Sequence, residues 1–268
     1  MEILITKTLN LNRKLDIQVV SEPQNIICVA SHERSGTHFL INSITLNTNY
    51  SPKHLDFDNY SLGHFVDFYS KDSVKNFFGF LKNIKHTEEH VFINNIIKTH
   101  HSADFFEPIF KDKKILFFYI YRHPLDLFVS YWKFLHTWNT FEGPLLETPL
   151  ELIRATPVGK CLRYQWNHAD TFLERWANNL KSWLAASKES ENVNLIAYED
   201  LRDNYDDELA SLFSKTSLPT PKKFQKPNRE HYIKSRDLSP NDSDIEKMSL
   251  HIENFFLDEP LIKPLFKF

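Results

Sequence analysis

Ile26-Ile27-Cys28-Val29-Ala30-Ser31-His32-Glu33-Arg34-Ser35-Gly36-Thr37-His38-Phe39-Leu40-Ile41 is the stretch whose reading decides the fold. Its five leading apolar residues predict a buried strand, and a short polar turn leads into a run with helical apolar spacing. A strand feeding a helix through a tight turn makes an anion site, because the first N–H groups of the helix lack partners and its dipole favours negative charge. Gly36 is one of only five glycines in 268 residues, which argues against its being filler in this turn. Arg34 adds a permanent positive charge and a planar fork of donors, and Ser35 and Thr37 add hydroxyls. The chemistry is that of a phosphate-binding loop. It lacks the Gly-Lys-Ser/Thr ending of a nucleoside triphosphatase loop, so magnesium-dependent ATP hydrolysis fits poorly.

Composition narrows the remaining classes. The chain is 41% hydrophobic with 23 Phe, enough for a substantial core, and nothing in residues 1–268 reads as a linker, so one domain is expected. A net charge of −3 and a pI near 6.5 disfavour a nucleic-acid partner reached by bulk electrostatics. Cys28 and Cys161 form neither a disulfide framework nor a metal-ligand spacing. The apolar run from Ile115 to Tyr121 is too short to span a bilayer, and the first sixteen residues carry charges where a signal peptide is apolar. The expectation is a cytoplasmic protein without a membrane partner. Oligomeric state is not fixed by the sequence, and a homodimer stays open.

Along the chain, strand-like and helix-like runs alternate. Residues 1–24 alternate weakly and read as an edge strand or hairpin. Thr37 to about Asn47 reads as an amphipathic helix, 48–70 as an irregular wall, and Asp72 to Lys85 as a helix. Val91 to Thr99 reads as a second strand ending at His100-His101, and Ile115 to Tyr121 as a strand buried on both faces. Leu125 to Leu135 follows as a helix with Pro124 in its first turn, and 139–160 as a long excursion. Asp170 to Ala186 reads as a helix in which Trp176 and Trp183, seven apart, pack the core. Val193 to Ala197 is a short strand before a helix reaching about Ser214. Alternating strands and helices predict an α/β fold with a central parallel sheet flanked by helices.

Two constellations carry chemistry beyond the loop. Tyr121-Arg122-His123-Pro124-Leu125-Asp126 ends a strand in Arg122, and Ser130 lies two helical turns further on. An Arg can hold a phosphate bidentately and a Ser hydroxyl can share the same oxyanion. From physics alone, a strand-capping Arg and a helix-surface Ser are the favoured explanation of these residues. Ile97-Lys98-Thr99-His100 places a His at a strand end, where doubly wound sheets bind ligands, and an imidazole suits a general base at neutral pH.

Taken together these segments resemble the sulfotransferases that use 3′-phosphoadenosine 5′-phosphosulfate (PAPS). Arg34-Ser-Gly-Thr after a strand looks like the family's 5′-phosphosulfate loop, where cytosolic members usually have Lys and other branches have Arg. Arg122-x-Pro-x-Asp-x-x-x-Ser130 is very similar to the 3′-phosphate motif in spacing and context. Lys98-Thr-His100 resembles the segment bearing the catalytic base. Trp176 to Trp183 and Tyr198-Glu-Asp-Leu201 also follow the family's order.

The resemblance implies a P-loop-like three-layer α/β sandwich and an enzyme moving a sulfuryl group from PAPS to a hydroxyl or amine of a small-molecule acceptor. It implies His100 as general base, with His101 the alternative if the register slips by one, and Arg34 and Lys98 stabilising charge. Ser35, Gly36, Thr37 and His38 would hold the 5′-phosphate, and Phe39 and Tyr198 would lie at the adenine. Arg122 and Ser130 would select the 3′-phosphate. At the C-terminal end, where cytosolic members carry Arg-Lys-Gly, this chain has Lys226, Arg229, Lys234, Ser235 and Arg236, and Lys234 and Arg236 are the expected phosphate contacts. No metal is expected.

Other readings compete. The chain could be a nucleotide-binding module without turnover, or a small-molecule kinase with a degenerate loop. His86-Thr-Glu-Glu-His90 fits a zinc motif if helical, but it is short, flanked by Lys and runs straight into a strand.

Overall fold

The computed structural model describes residues 2–5, 15–57, 71–86, 89–138, 141–228 and 237–266. Its centre is a five-stranded sheet built from β3 (Ile26–Ser31), β4 (Ser51–Asp56), β8 (Asn95–Thr99), β9 (Ile115–Tyr121) and β10 (Val193–Ala197). The spatial order is β10-β9-β3-β8-β4, and every pairing is parallel. The first sheet strand, β3, therefore sits in the middle, with later strands added on both sides. That reversal of strand order opens a crevice at the carboxyl ends of β3, β8 and β9, where open α/β sheets take ligands. β1 (Glu2–Ile5), β2 (Leu15–Val20) and β7 (Phe92–Ile93) form a separate antiparallel sheet in the order β1-β2-β7.

Side-chain alternation along the central strands sorts the core into two layers. Ile27, Val29, Leu116, Phe118 and Ile120 face α1 (Thr37–Asn47), α6 (Tyr198–Asp203) and α7 (Tyr205–Thr216). Ile26, Cys28, Ala30, Phe117 and Tyr119 point the other way. There they meet a larger core that includes residues of α2 (Lys71–Lys82), α3 (Pro124–Thr137), α4 (Pro149–Arg154), α5 (Phe172–Glu189) and α8 (Asp242–Leu257). Trp176 and Trp183 are fully buried in this second layer. The architecture is an α/β sandwich of three layers, helix, parallel sheet and helix.

Several boundaries depart from the sequence reading. The expected single strand at 91–99 is two: Phe92 pairs with Val20, whereas Asn95 to Thr99 joins the parallel sheet. Asn94 and Asn95 mark the break, and both hydrogen-bond across it, Asn95 Oδ1 accepting from the Gln18 N–H at 2.6 Å. Within 48–70, expected to be irregular, residues 51–56 form the edge strand β4, and 58–70 lie outside the described residues. The helix expected to run to Ser214 breaks at Asn204 into α6 and α7. The excursion at 139–160 contains α4, closed at its start by a Thr148–Glu151 capping box. Residues 85–86 and 89–90 form a short antiparallel pair, β5 (Lys85–His86) and β6 (Glu89–His90), so His86 and His90 do not share a helix face.

Candidate active site

The anion loop follows from how β3 ends. All six β3 residues are buried, and the chain leaves the sheet through a turn at 32–35. Ser35 N–H bonds the His32 carbonyl at 3.3 Å, and the Leu40 N–H to Gly36 carbonyl bond of 3.1 Å starts α1. Two residues of the turn take left-handed backbone, Arg34 at φ 66° and Gly36 at φ 100°. The first is costly for a side-chain-bearing residue, and such strain tends to gather at functional sites. At Gly36 a Cβ would lie 2.4 Å from Tyr198 Cδ2, so only glycine fits beneath that ring. Helix α1 has no side-chain cap hydrogen bond and no acid in its first turn, so no negative side chain offsets the positive end of its dipole. Beside that end, the Ser35 hydroxyl is buried with no hydrogen-bond partner among the described residues.

Strand register brings the other expected residues to this loop. Ala30 pairs with Thr99, which sets His100 opposite Ser31. Ala197 pairs with Tyr121, which sets Tyr198 beside Arg122. Arg122 lies with its guanidinium carbon 4.7 Å from the centre of the Tyr198 ring and donates to the Arg34 carbonyl at 3.5 Å. Its Nε is buried with no hydrogen-bond partner among the described residues. Arg34 Nε donates to Ser130 Oγ at 3.1 Å, and its guanidinium faces the Phe134 ring. Burial, then the neighbouring Arg122 charge, pushes Arg34 down to about 10, still cationic at neutral pH. Asp126 of α3 lies 3.8 Å from Arg122 Nη2, and the two guanidiniums concentrate positive charge at this end of the sheet. Phe39 meets Tyr198 edge-on at 5.9 Å.

His100 faces the same cleft. Its Nδ1 lies 3.0 Å from the Ser31 carbonyl and 3.2 Å from Ser31 Oγ, which in turn touches Thr37 Oγ1 at 2.6 Å. A carbonyl oxygen can only accept, so Nδ1 carries the proton and Nε2 keeps its lone pair. Burial, then the Lys98 charge, pushes the imidazole down to about 3, so it is neutral at pH 7. His101, by contrast, is fully buried among Phe57, Phe105, Phe106 and Tyr164, with Nδ1 3.0 Å from Thr99 Oγ1. Lys98 is tied to Asp56 of the neighbouring strand at 2.6 Å. His38, pushed down to about 3 by burial and then Lys98, packs edge-on against His54.

The cleft these groups enclose holds about 350 Å³ and is lined by Arg34, Gly36, Thr37, His38, Phe39, Lys98, His100, Arg122, Ser130 and Tyr198. Of the expected residues, Ser35 is fully buried and does not line the cleft, and Lys234 and Arg236 fall outside the described residues. Sequence reasoning passed over Glu33, Glu142, Arg163 and Tyr164, which with Phe134 line the rest. Glu142 and Arg163 form a bidentate pair at 2.8 and 2.9 Å, and Tyr164 meets His100 edge-on at 5.3 Å. It also passed over Arg175 and Asn179 on α5. Asn179 donates to the His100 carbonyl at 3.2 Å, and Arg175 grips Glu33.

Comparison with known proteins places the chain. A family model described as sulfotransferase domain matches residues 24–235. A search of curated proteins finds no match. Similar solved structures include mouse sulfotransferase SULT7A1 complexed with PAP, at 19% identity, covering 86% of this chain and 64% of that one with a TM-score of 0.44. Retinol dehydratase in a complex with retinol and PAP is similar at 14% identity over 87% of this chain and 66% of that one, TM-score 0.44. A sulfotransferase domain from the curacin biosynthetic pathway is 12% identical over 87% of this chain and 99% of that one, TM-score 0.43. The chain thus spans just under two thirds of the first two.

Proposed function

The chain belongs to the sulfotransferase family, and on that premise we propose that it moves a sulfuryl group from PAPS to a hydroxyl or amine of a small-molecule acceptor. The observation that carries this reading is the convergence of Arg34, Arg122, Ser130 and the uncapped α1 N-terminus with a neutral His100 in one cleft. The residues fit a doubly phosphorylated nucleotide: among the described residues, the Ser35 hydroxyl and Arg122 Nε are buried donors without acceptors.

When bound, PAPS would supply the sulfuryl group and leave as adenosine 3′,5′-bisphosphate. His100 Nε2 takes the proton of the acceptor's O–H or N–H as that atom bonds to sulfur. Its Nδ1–H stays on the Ser31 carbonyl, which fixes the tautomer and aims the ring. The N–H groups at 36–38, with Ser35, Thr37 and His38, hold the 5′-phosphate and stabilise the charge that builds there. Arg34 and Lys98 add positive charge at the transferred group, Lys98 exchanging Asp56 for it. Arg122 and Ser130 hold the 3′-phosphate; Phe39 and Tyr198 flank the adenine. Lys234 and Arg236 remain the proposed closing contacts on the 3′-phosphate. No metal enters this scheme, the chain is read as cytoplasmic and one domain, and a homodimer stays open.

The test is transfer of radiolabelled sulfate from PAPS across a panel of phenols, alcohols and amines. The expected result is turnover that falls about 10²- to 10⁴-fold in His100→Ala, the usual contribution of a general base, with bisphosphate affinity unchanged. Unimpaired turnover in His100→Ala would contradict the assignment of the base.

A further inference from the structure

The residue just before Arg34 is a carboxylate, which at first sight opposes an anion site. Glu33 lines the cleft yet is only 6% exposed, and it is neutralised from below by Arg175 of α5, itself 3% exposed. The pair is bidentate: Arg175 Nη2 donates to Glu33 Oε1 at 2.8 Å and Nη1 to Glu33 Oε2 at 3.1 Å. Arg175 Nη1 also donates to His32 Nε2 at 2.7 Å, and Nη2 to the Cys161 carbonyl at 3.0 Å. His32 packs edge-on against Phe128 and Tyr131 of α3, and its Nδ1–H reaches the Glu33 carbonyl at 3.0 Å. The two residues between the end of β3 and Arg34 are thereby fixed from two helices.

Such a pair gains little stability over apolar packing of the same shape, because desolvating two charges offsets their attraction; what it supplies is a fixed geometry and a local charge balance. Helix α5 repeats the device at helical spacing. Four residues after Arg175, Asn179 holds the His100 carbonyl, and four further on Trp183 Nε1 holds the His101 carbonyl at 3.1 Å. One face of α5 grips both segments that meet at the cleft.

We propose that Arg175 is a positioning residue for the anion loop, cancelling the Glu33 charge and holding the turn in which Arg34 takes left-handed backbone. This rests on the reading of the cleft as a nucleotide site. Without Arg175, the Glu33 carboxylate would face the bound phosphates directly. In Glu33→Gln, the Arg175 fork would still hold the side-chain amide oxygen and leave a surplus positive charge under the site. The two removals therefore act in opposite directions on anion binding, which a purely structural brace would not do.

The experiment is calorimetric titration of adenosine 3′,5′-bisphosphate into wild type, Arg175→Met, Arg175→Lys, Glu33→Gln and the double variant Glu33→Gln/Arg175→Met, with melting curves for each. Expected are a loss of more than tenfold in Arg175→Met, a smaller loss in Arg175→Lys, affinity within about threefold of wild type or tighter in Glu33→Gln, and recovery in the double variant relative to Arg175→Met. Losses of similar size in Glu33→Gln and Arg175→Met overturn the proposal. If Arg175→Met does not fold, Glu33→Gln decides: a loss above tenfold in a cooperatively melting protein overturns it, and retained binding supports it. Absence of bisphosphate binding in wild type would instead remove the nucleotide reading itself.

Discussion

At Gly36 one missing methyl group decides how closely the Tyr198 ring can approach the start of α1. The glycine's φ of 100° and the 2.4 Å that would separate a Cβ from Tyr198 Cδ2 mean that any larger residue strains the backbone and displaces the Tyr198 ring. Gly36→Ala should cost roughly 1 kcal/mol for left-handed backbone alone, and should also push the Tyr198 ring off Arg122. The expected outcome is a cooperative fold with bisphosphate binding weakened more than tenfold by calorimetry; undiminished binding would mean that the Tyr198–Gly36 contact is not used. The sequence made this glycine visible, because it stood in the turn after a continuous apolar strand. It could not show Glu33 facing Arg175, since those residues lie 142 positions apart and neither belongs to a local pattern. Arg34 is a mixed case. Its charge was readable, but its bond to Ser130, 96 residues on, joins two motifs that the sequence presented as separate contacts.

At the scale of elements, the strands buried on both faces were legible and the edge was not. β9 is a seven-residue apolar run between two parallel partners, and its burial matches its composition. β4, Ser51-Pro-Lys-His-Leu-Asp, has one neighbour and mostly exposed or half-buried side chains, so its sequence carries little strand signal. The break at Asn94 is hard to read because apolar residues flank Asn94-Asn95 on both sides, although they belong to two different sheets. Helix α5 was read for its tryptophans, and its polar side chains at 175 and 179 went unassigned. Asn179 ties the His100 carbonyl to Tyr119, whose hydroxyl donates to Asn179 Oδ1 at 2.8 Å. Asn179→Ala should therefore lower turnover severalfold by loosening His100, the proposed base, while leaving bisphosphate affinity near wild type. Equal effects on both, in steady-state kinetics and titration, would argue for a general loss of fold.

The whole molecule concentrates neutral histidines around its cleft. Burial pushes His32 down to about 4 and His38 and His100 to about 3, and lowers His101 well below the usual imidazole range. A folded-state pKa below 6.5 means that the unfolded chain binds protons the folded one refuses. The stability these groups contribute is therefore complete above pH 6.5 and is lost as pH falls toward 4 and then 3. Glu33, which burial would raise but Arg175 holds low, adds its own loss below the ordinary carboxylate range. Melting temperature should decline between pH 6.5 and 5, before most carboxylates titrate. A flat profile over that interval would contradict the burial of these imidazoles.

The central claim is that the cleft reads two phosphates at once, one at the α1 N-terminus and one at Arg122 and Ser130. The most direct measurement is a pair of titrations on the wild-type protein, adenosine 3′,5′-bisphosphate against adenosine 5′-monophosphate. Charge-assisted contacts of this kind contribute about 1.5–3 kcal/mol each, so the bisphosphate should bind at least tenfold more tightly, and Arg122→Ala should erase most of that difference. Equal affinities in the wild type would contradict the 3′-phosphate site and, with it, the reading of this chain as a PAPS-dependent enzyme.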